Sequence, residues 1–149
     1  MNGRSHTTGK PWAAGASGKN FPNDSDMVLR VLNEEFSICK LKDYSQIDLG
    51  QPYVFTGSTD EEKSLVCPTR LIPSNTLERS DGWNAFRIEG TLDFSLVGIL
   101  ARISSILSEA GIGIFAISTF NTDYVLTRSR DFERALQLLS ASSYDLDFD

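Results

Sequence analysis

The clearest pattern in the chain is a run of apolar residues at helical spacing in its second half. Between residues 95 and 110 the apolar positions recur at intervals of three and four, which is typical of an amphipathic helix. Ser95 is a suitable N-cap, and Gly111 follows the last apolar position, where a glycine commonly ends a helix. The pattern therefore predicts a helix over residues 95–110, with Gly98 in its first turn.

Short apolar segments on either side of this helix predict strands. Residues 83–89 precede it, residues 112–117 follow it, and residues 124–126 form a third segment after a polar break. The segment at 112–117 is short, continuous and rich in β-branched residues. This composition indicates a strand that is buried on both faces.

The end of the chain completes the pattern. A second helical stripe begins near Asp131, and residues 144–149 alternate between apolar residues and aspartates, as in a half-buried strand. The order is then strand, helix, strand, strand, helix, strand. It predicts an α+β, ferredoxin-like fold, with an antiparallel sheet and both helices on one face.

The patterns in the first half are weaker. Residues 27–80 contain short strand-like segments, among them residues 53–56 and 64–67, but little helical periodicity. The polar residues 74–82 suggest a linker into the second half. We therefore predict a first unit over residues 27–80, in which short connections replace helices, and a second unit over residues 81–149.

Residues 1–26 differ from the rest of the chain. Small and polar residues dominate there, and Trp12 and Phe21 are the bulky apolar ones, too few to nucleate a core. The composition predicts a disordered tail.

Charge and hydropathy exclude several classes of protein. The net charge of −6 argues against a nucleic-acid partner, since neutralising phosphates needs clustered Lys and Arg. Apolar runs stay well short of the ~20 residues that span a bilayer, so a membrane span is not expected.

The residues that usually carry catalysis are scarce. His6 is the only histidine and lies in the predicted tail. The predicted folded part therefore has no histidine to act as the base of a hydrolytic triad or as a zinc ligand. Cys39 and Cys67 lie in strand-like segments and are interpreted as buried thiols, with a disulfide or a reactive thiol as alternatives. We expect no enzyme activity, no cofactor and no metal, and a reducing, cytoplasmic location.

Several blocks of the sequence resemble a known family. DFSLVGILARISSIL, AGIGIFAIST and FNTDYVL, within residues 92–126, look like an ACT domain, the small-molecule-binding module of amino-acid metabolism. The whole is similar to short tandem ACT proteins, to the regulatory tails of aspartate kinases and to the cytosolic arginine sensors of animals. KSLVCPTRLIP, residues 63–73, resembles the first-unit strand of that family. The resemblance implies ferredoxin-like βαββαβ ACT units in tandem, the first of them degenerate.

The residues themselves suggest a ligand site at the start of the predicted helix. A helix N-terminus attracts a carboxylate, and Gly98 would let a ligand approach the backbone closely. Asp123, which opens a strand, could receive a cation, and the hydroxyl of Ser64, to which the family resemblance points, could bind either group. Each has a structural alternative: Gly98 could serve helix packing, Asp123 could be a turn residue, and Ser64 could face solvent.

The resemblance implies further ligand contacts. It places the ligand's carboxylate and ammonium near residues 93–98, from Asp93 to Gly98, and it points to Leu65 beside Ser64. It also implies contacts from the hairpin, which are Thr119, Phe120, Thr122 and Asp123. Residue 122 is Thr where the arginine sensors carry an aromatic residue, and this argues against arginine as the ligand.

Two functions follow from these observations. The first is a small regulatory or sensor protein that binds a free amino acid at the interface between its two ACT units. It would signal through a homodimer or a regulated protein partner. The alternative is a ligand-free ACT-type module for oligomerisation or protein interaction.

Overall fold

The computed structural model describes residues 27–89 and 98–149. The predicted tail, residues 1–26, and the predicted site residue Asp93 lie outside these ranges. The strands in chain order are β1 Val28–Val31, β2 Phe36–Leu41, β3 Phe55–Ser58, β4 Lys63–Pro68, β5 Thr76–Glu89, β6 Phe115–Ser118, β7 Asp123–Arg128 and β8 Asp145–Phe148. The α-helices are α1 Ile99–Glu109 and α2 Ser129–Ala141, and a short 3₁₀ helix spans Thr69–Leu71.

The eight strands form one sheet organised around β5. The first part of this 14-residue strand pairs with β2 and its last part with β1, while β7 pairs along the opposite edge. The interpretation of residues 74–82 as a linker is wrong, because Thr76 to Gly82 belong to this continuous strand. The division of the chain into two units stays a prediction, and its boundary at residue 80 falls inside β5.

Strand β1 gives the sheet a mixed character. It lies between β5 and β8, antiparallel to β5 and parallel to β8. The expected antiparallel sheet is therefore wrong at this pair, because a strand from the first half is inserted beside the last strand of the chain.

Helix α1 begins later than predicted. Its N-cap is Gly98, with a φ of 98°, so Ser95 is not the cap and Gly98 precedes the first turn. A left-handed residue cannot continue a right-handed helix, and glycine is the residue that adopts this φ at low cost. The predicted end is confirmed: Gly111 has a φ of 76°, and the Ile112 N–H donates to the Leu107 carbonyl as in a Schellman cap.

Strand β6 departs from the prediction for residues 112–117. It begins at Phe115 and, among the described strands, pairs with β7 alone. The prediction of a strand buried on both faces is wrong, because successive side chains point to opposite faces: Phe115 and Ile117 pack onto a buried cluster, whereas Ala116 and Ser118 are exposed. The second helix and the last strand are confirmed as α2 and β8.

Both helices cover the same face of the sheet, as predicted. Their buried residues, which include Ile103, Leu107 and Leu139, pack against Phe86 of β5 and Val125 of β7. We call this cluster the helix-covered core.

The opposite part of the sheet is covered without α-helices. Cys39, Leu41, Leu65 and Cys67 form a buried cluster, which we call the loop-covered core. Residues from the 44–54 connection and from the 3₁₀ turn pack on it. Both cysteines are buried free thiols, which confirms their interpretation.

Candidate functional site

The hairpin between β6 and β7 is tied to the end of β5. The hydroxyl of Thr122 donates to the Ile88 carbonyl at 2.5 Å, and the N–H and hydroxyl of Thr119 both donate to the Thr122 carbonyl. Phe120 stands at the tip with its side chain fully exposed, at 103%. The predicted site residues Thr119, Phe120 and Thr122 therefore form one hydrogen-bonded turn. The Thr122 hydroxyl already donates its hydrogen bond to the backbone of β5.

Asp123 is the first residue of β7 and lies opposite Ser118. It is partly buried, and its carboxylate forms no ion pair within residues 27–89 and 98–149. An anion at a strand start with no described cation beside it can accept an ammonium group from a ligand.

The start of α1 lies toward the same end of the sheet. The helix ends at Glu109, and the chain then enters β6 at the end opposite the hairpin, so the first turn of α1 lies toward the hairpin end. The Arg102 N–H donates to the Gly98 carbonyl at 2.9 Å, and no described side chain caps the turn. The first backbone N–H groups of α1 are therefore suited to an anion.

A charged network beside this end was not found from the sequence. Arg87 of β5 donates to both carboxylate oxygens of Glu89, at 2.9 and 3.3 Å, and to the Tyr124 hydroxyl at 3.4 Å. These bonds lower the pKa of Glu89 and raise that of Arg87. The sequence could have indicated the ion pair, because Arg87 and Glu89 are two residues apart and so lie on one face of a strand. Their link to Tyr124 depends on how β5 and β7 pair, which the sequence does not show.

Aromatic residues from the first half of the chain pack onto this network. The ring of Phe55 lies 5.0 Å from that of Tyr124, and the ring of Tyr53 lies 6.4 Å from it. Tyr124 follows Asp123 directly, so strand alternation places their side chains on opposite faces of the sheet.

Ser64 and Leu65 lie on β4, apart from the hairpin. Ser64 pairs with Lys40 and Gly57, and its carbonyl accepts a hydrogen bond from the Tyr44 hydroxyl. Leu65 is buried in the loop-covered core. Among the described residues, no hydrogen bond links Ser64 to Gly98 or Asp123, so the structure groups the hairpin residues with one another but does not join them to Ser64.

Comparison with known proteins identifies the family. Residues 78–141 match the model of the ACT domain. The protein Atu0741 from Agobacterium tumefaciens is 34% identical, with a TM-score of 0.73, and the alignment covers 83% of this chain and 93% of Atu0741. This chain belongs to the family of Atu0741, and its residues 78–141 are similar to the ACT domain.

More distant structures share the fold. VC0802 from Vibrio cholerae is 18% identical, with a TM-score of 0.62 and coverage of 80% of this chain and 92% of that one. The regulatory subunit of aspartate kinase from Thermus thermophilus is 9% identical, with a TM-score of 0.52 and coverage of 76% and 95%. Among proteins with curated functions, none matches the chain.

The ACT match begins in β5 and ends at the last residue of α2, so it contains Gly98 and the whole β6–β7 hairpin. No group of three or more His, Cys, Asp or Glu residues in the described part of this ACT-domain chain could hold a metal ion. Among its described helices, none is long and apolar enough to cross a membrane.

Proposed function

We propose that this ACT-domain protein is a regulatory module that binds a free amino acid. The match to the ACT domain over residues 78–141 supports this role, as does the fold shared with an aspartate kinase regulatory subunit. The protein would act by changing its assembly, or a partner's activity, when the amino acid is bound.

The proposed site combines the start of α1 with Asp123. The ligand's carboxylate would accept hydrogen bonds from the N–H groups that follow Gly98, where the helix dipole favours negative charge. Its ammonium would pair with the carboxylate of Asp123. The observation that carries this proposal is the first turn of α1, which no described side chain caps, at the same end of the sheet as an acid with no described cation partner.

Two of the remaining predicted residues, Thr119 and Phe120, would border the ligand from the hairpin. Ser64 would approach from the first unit, the arrangement expected for an interface between two ACT units, whereas Leu65 is buried in the loop-covered core and is left out of the proposed site. Thr122 offers no aromatic surface and its hydroxyl is bonded to backbone, so a small amino acid suits the site better than arginine.

A thermal-shift screen of the twenty amino acids, followed by calorimetry on the hits, tests the proposal. A ligand at 100 times its Kd adds about 2.7 kcal/mol to the stability of the wild type. Asp123→Asn removes the charge-assisted bond to the ammonium and should weaken binding by about 1.5 to 3 kcal/mol.

The matched control is Asp145→Asn, which removes the same charge from the exposed edge strand β8. It should bind like the wild type. If no amino acid binds the wild type in the millimolar range, or if both variants bind equally well, the proposed site is wrong.

The second candidate function is assembly with another copy of the chain. A groove of about 830 Å³ lies between α2 and β8, with Phe132, Leu136 and Leu146 among its apolar residues, and Phe148 on its edge is 63% exposed. The outer edge of β8 pairs with no other described strand, so the β8 of a second copy could extend the sheet and bury the groove.

Light scattering on the wild type and on Phe148→Ser tests this assembly. A dimer that the substitution dissociates supports it, and a monomeric wild type excludes it.

A further inference from the structure

The loop-covered core contains a cavity that is separate from the proposed amino-acid site. It has a volume of about 400 Å³ and lies between the sheet and two irregular segments, residues 46–54 and 70–74. A cavity of this size is at the lower end of the range that binds small molecules in proteins.

The floor of the cavity is apolar. Val54, Leu65, Cys67 and Leu71 line it, and Leu65 and Cys67 are fully buried. Burial raises the pKa of the Cys67 thiol to about 12, so it contributes an uncharged, weakly polar surface. The floor therefore suits the aliphatic part of a ligand.

The mouth of the cavity offers hydrogen-bond donors. Arg70 uses its Nε and one Nη to bind Glu34, the shorter contact being 2.9 Å, which leaves its second Nη without a described acceptor. The Ser74 hydroxyl donates to the side-chain Oε1 of Gln46 at 2.6 Å, so the side-chain Nε2 of Gln46 remains available as a donor.

The acidic residue at the mouth is already engaged. The carboxylate of Asp48 accepts from the Gly50 N–H at 2.9 Å and from Gln51 at 3.4 Å, and it thereby holds its own loop in place. A cationic head group would have to compete with these bonds. A carboxylate head would instead meet Arg70 and Gln46, whose remaining N–H groups donate hydrogen bonds to anionic oxygens.

From these contacts we propose that the cavity binds a small aliphatic carboxylate. The alkyl part lies on Leu65 and Cys67, and the carboxylate accepts hydrogen bonds from Arg70 at the mouth. This site is independent of the first turn of α1 and of Asp123.

Calorimetry with hexanoate and with its neutral analogue hexanamide tests this site on the full chain. We expect saturable hexanoate binding to the wild type in the millimolar range or tighter. Arg70→Met should weaken hexanoate by about tenfold or more and leave hexanamide unchanged, because it removes a charge-assisted bond and keeps the apolar floor.

Val54→Phe should abolish binding of both probes by filling the cavity, and Ile47→Phe serves the same purpose if the first variant does not fold. Arg130→Met, which removes a remote surface guanidinium, is the matched control and should bind both probes like the wild type. Asp123→Asn should also leave both probes unaffected, which separates this site from the amino-acid site.

The proposal is overturned if the wild type shows no saturable hexanoate binding. It is equally overturned if the filling variants, shown to be folded by circular dichroism, bind hexanoate as the wild type does. A loss of binding in Arg130→Met equal to that in Arg70→Met would assign the effect to net charge and would reject the site as well.

Discussion

The helix-covered core and the loop-covered core bury the same kind of surface by different means. In the first, α1 and α2 present apolar stripes that interlock with Phe86 and Val125. In the second, irregular segments lie over Leu65 and Cys67 and leave a cavity of about 400 Å³. The apolar side chains of a helix stripe pack continuously against a sheet, because the helix satisfies its own backbone hydrogen bonds. A loop must find partners for its backbone groups as well, which restricts how its side chains can pack. The difference teaches that, where loops cover this sheet, room for a small ligand remains over Leu65 and Cys67.

Truncating a leucine in each core gives the largest expected effect. Leu107→Ala in the helix-covered core should lower the free energy of unfolding by about 3 to 5 kcal/mol. Leu65→Ala should cost about 2 to 3 kcal/mol, because its side chain already borders a cavity and has fewer partners to lose. Urea unfolding measures both variants. Equal losses would mean that the loops pack as tightly as the helices.

Substitution of Gly98 probes the start of α1. Gly98→Ala should cost about 1 to 2 kcal/mol, since an L-residue at a φ of 98° is strained. Gly113→Ala is the control, because its added Cβ would meet no atom within 4 Å, and it should change stability by less than about 0.5 kcal/mol. If the two variants melt together, the left-handed cap has no energetic role.

The ion pair between Arg87 and Glu89 should make stability depend on pH. The pKa of Glu89 is lowered by Arg87, so this contribution is present above the carboxyl's usual pKa and is lost as the pH falls through its lower native value. Comparing the wild type with Glu89→Gln should show a difference of about 0.5 kcal/mol at pH 7 that disappears in acid.

The control for this measurement is Glu78→Gln on the other part of β5, where the contact with Lys40 is exposed and 3.9 Å long. Glu78→Gln should change the free energy of unfolding at pH 7 by less than Glu89→Gln does. A larger change for Glu78→Gln would contradict the assignment of the pH dependence to the pair of Arg87 and Glu89.

The smallest expected effect is the reaction of the two thiols of the loop-covered core with a thiol reagent. Because burial raises the pKa of Cys67 to about 12, the thiolate fraction at pH 8 is on the order of 10⁻⁴. Burial also raises the pKa of Cys39. Neither cysteine should react with Ellman's reagent until urea unfolds the chain. Rapid reaction in the native state would show that the loops open readily.

The sequence allowed good prediction where periodicity was strong. The α1 stripe, the Gly111 cap and the alternation in β8 were read from local spacing, because each pattern depends on neighbours within one or two turns. The left-handed conformation of Gly98 was not predictable in this way, since a glycine inside an apolar stripe looks the same whether it lies within a helix or before it.

Features that depend on strand register were missed. The link from Arg87 to Tyr124 and the insertion of β1 between β5 and β8 arise from pairing between distant segments, which no local pattern encodes. The candidate site reflects this limit: Thr119, Thr122 and Asp123 form one turn, whereas no hydrogen bond of the described residues ties Ser64 to them. Polar residues 74–82 suggested a linker because a long exposed strand edge has the same composition.

The position of β1 has a consequence for how the protein is made. Val28 pairs with Asp145, and Arg30 bonds Asp147 across 117 residues of chain, so β1 leaves the ribosome well before the strand that it pairs with. Contacts of such long range carry a large loop-closure cost and slow folding. We expect the nascent chain to leave one edge of β1 open until β8 emerges from the ribosome, and the sheet to close only after that.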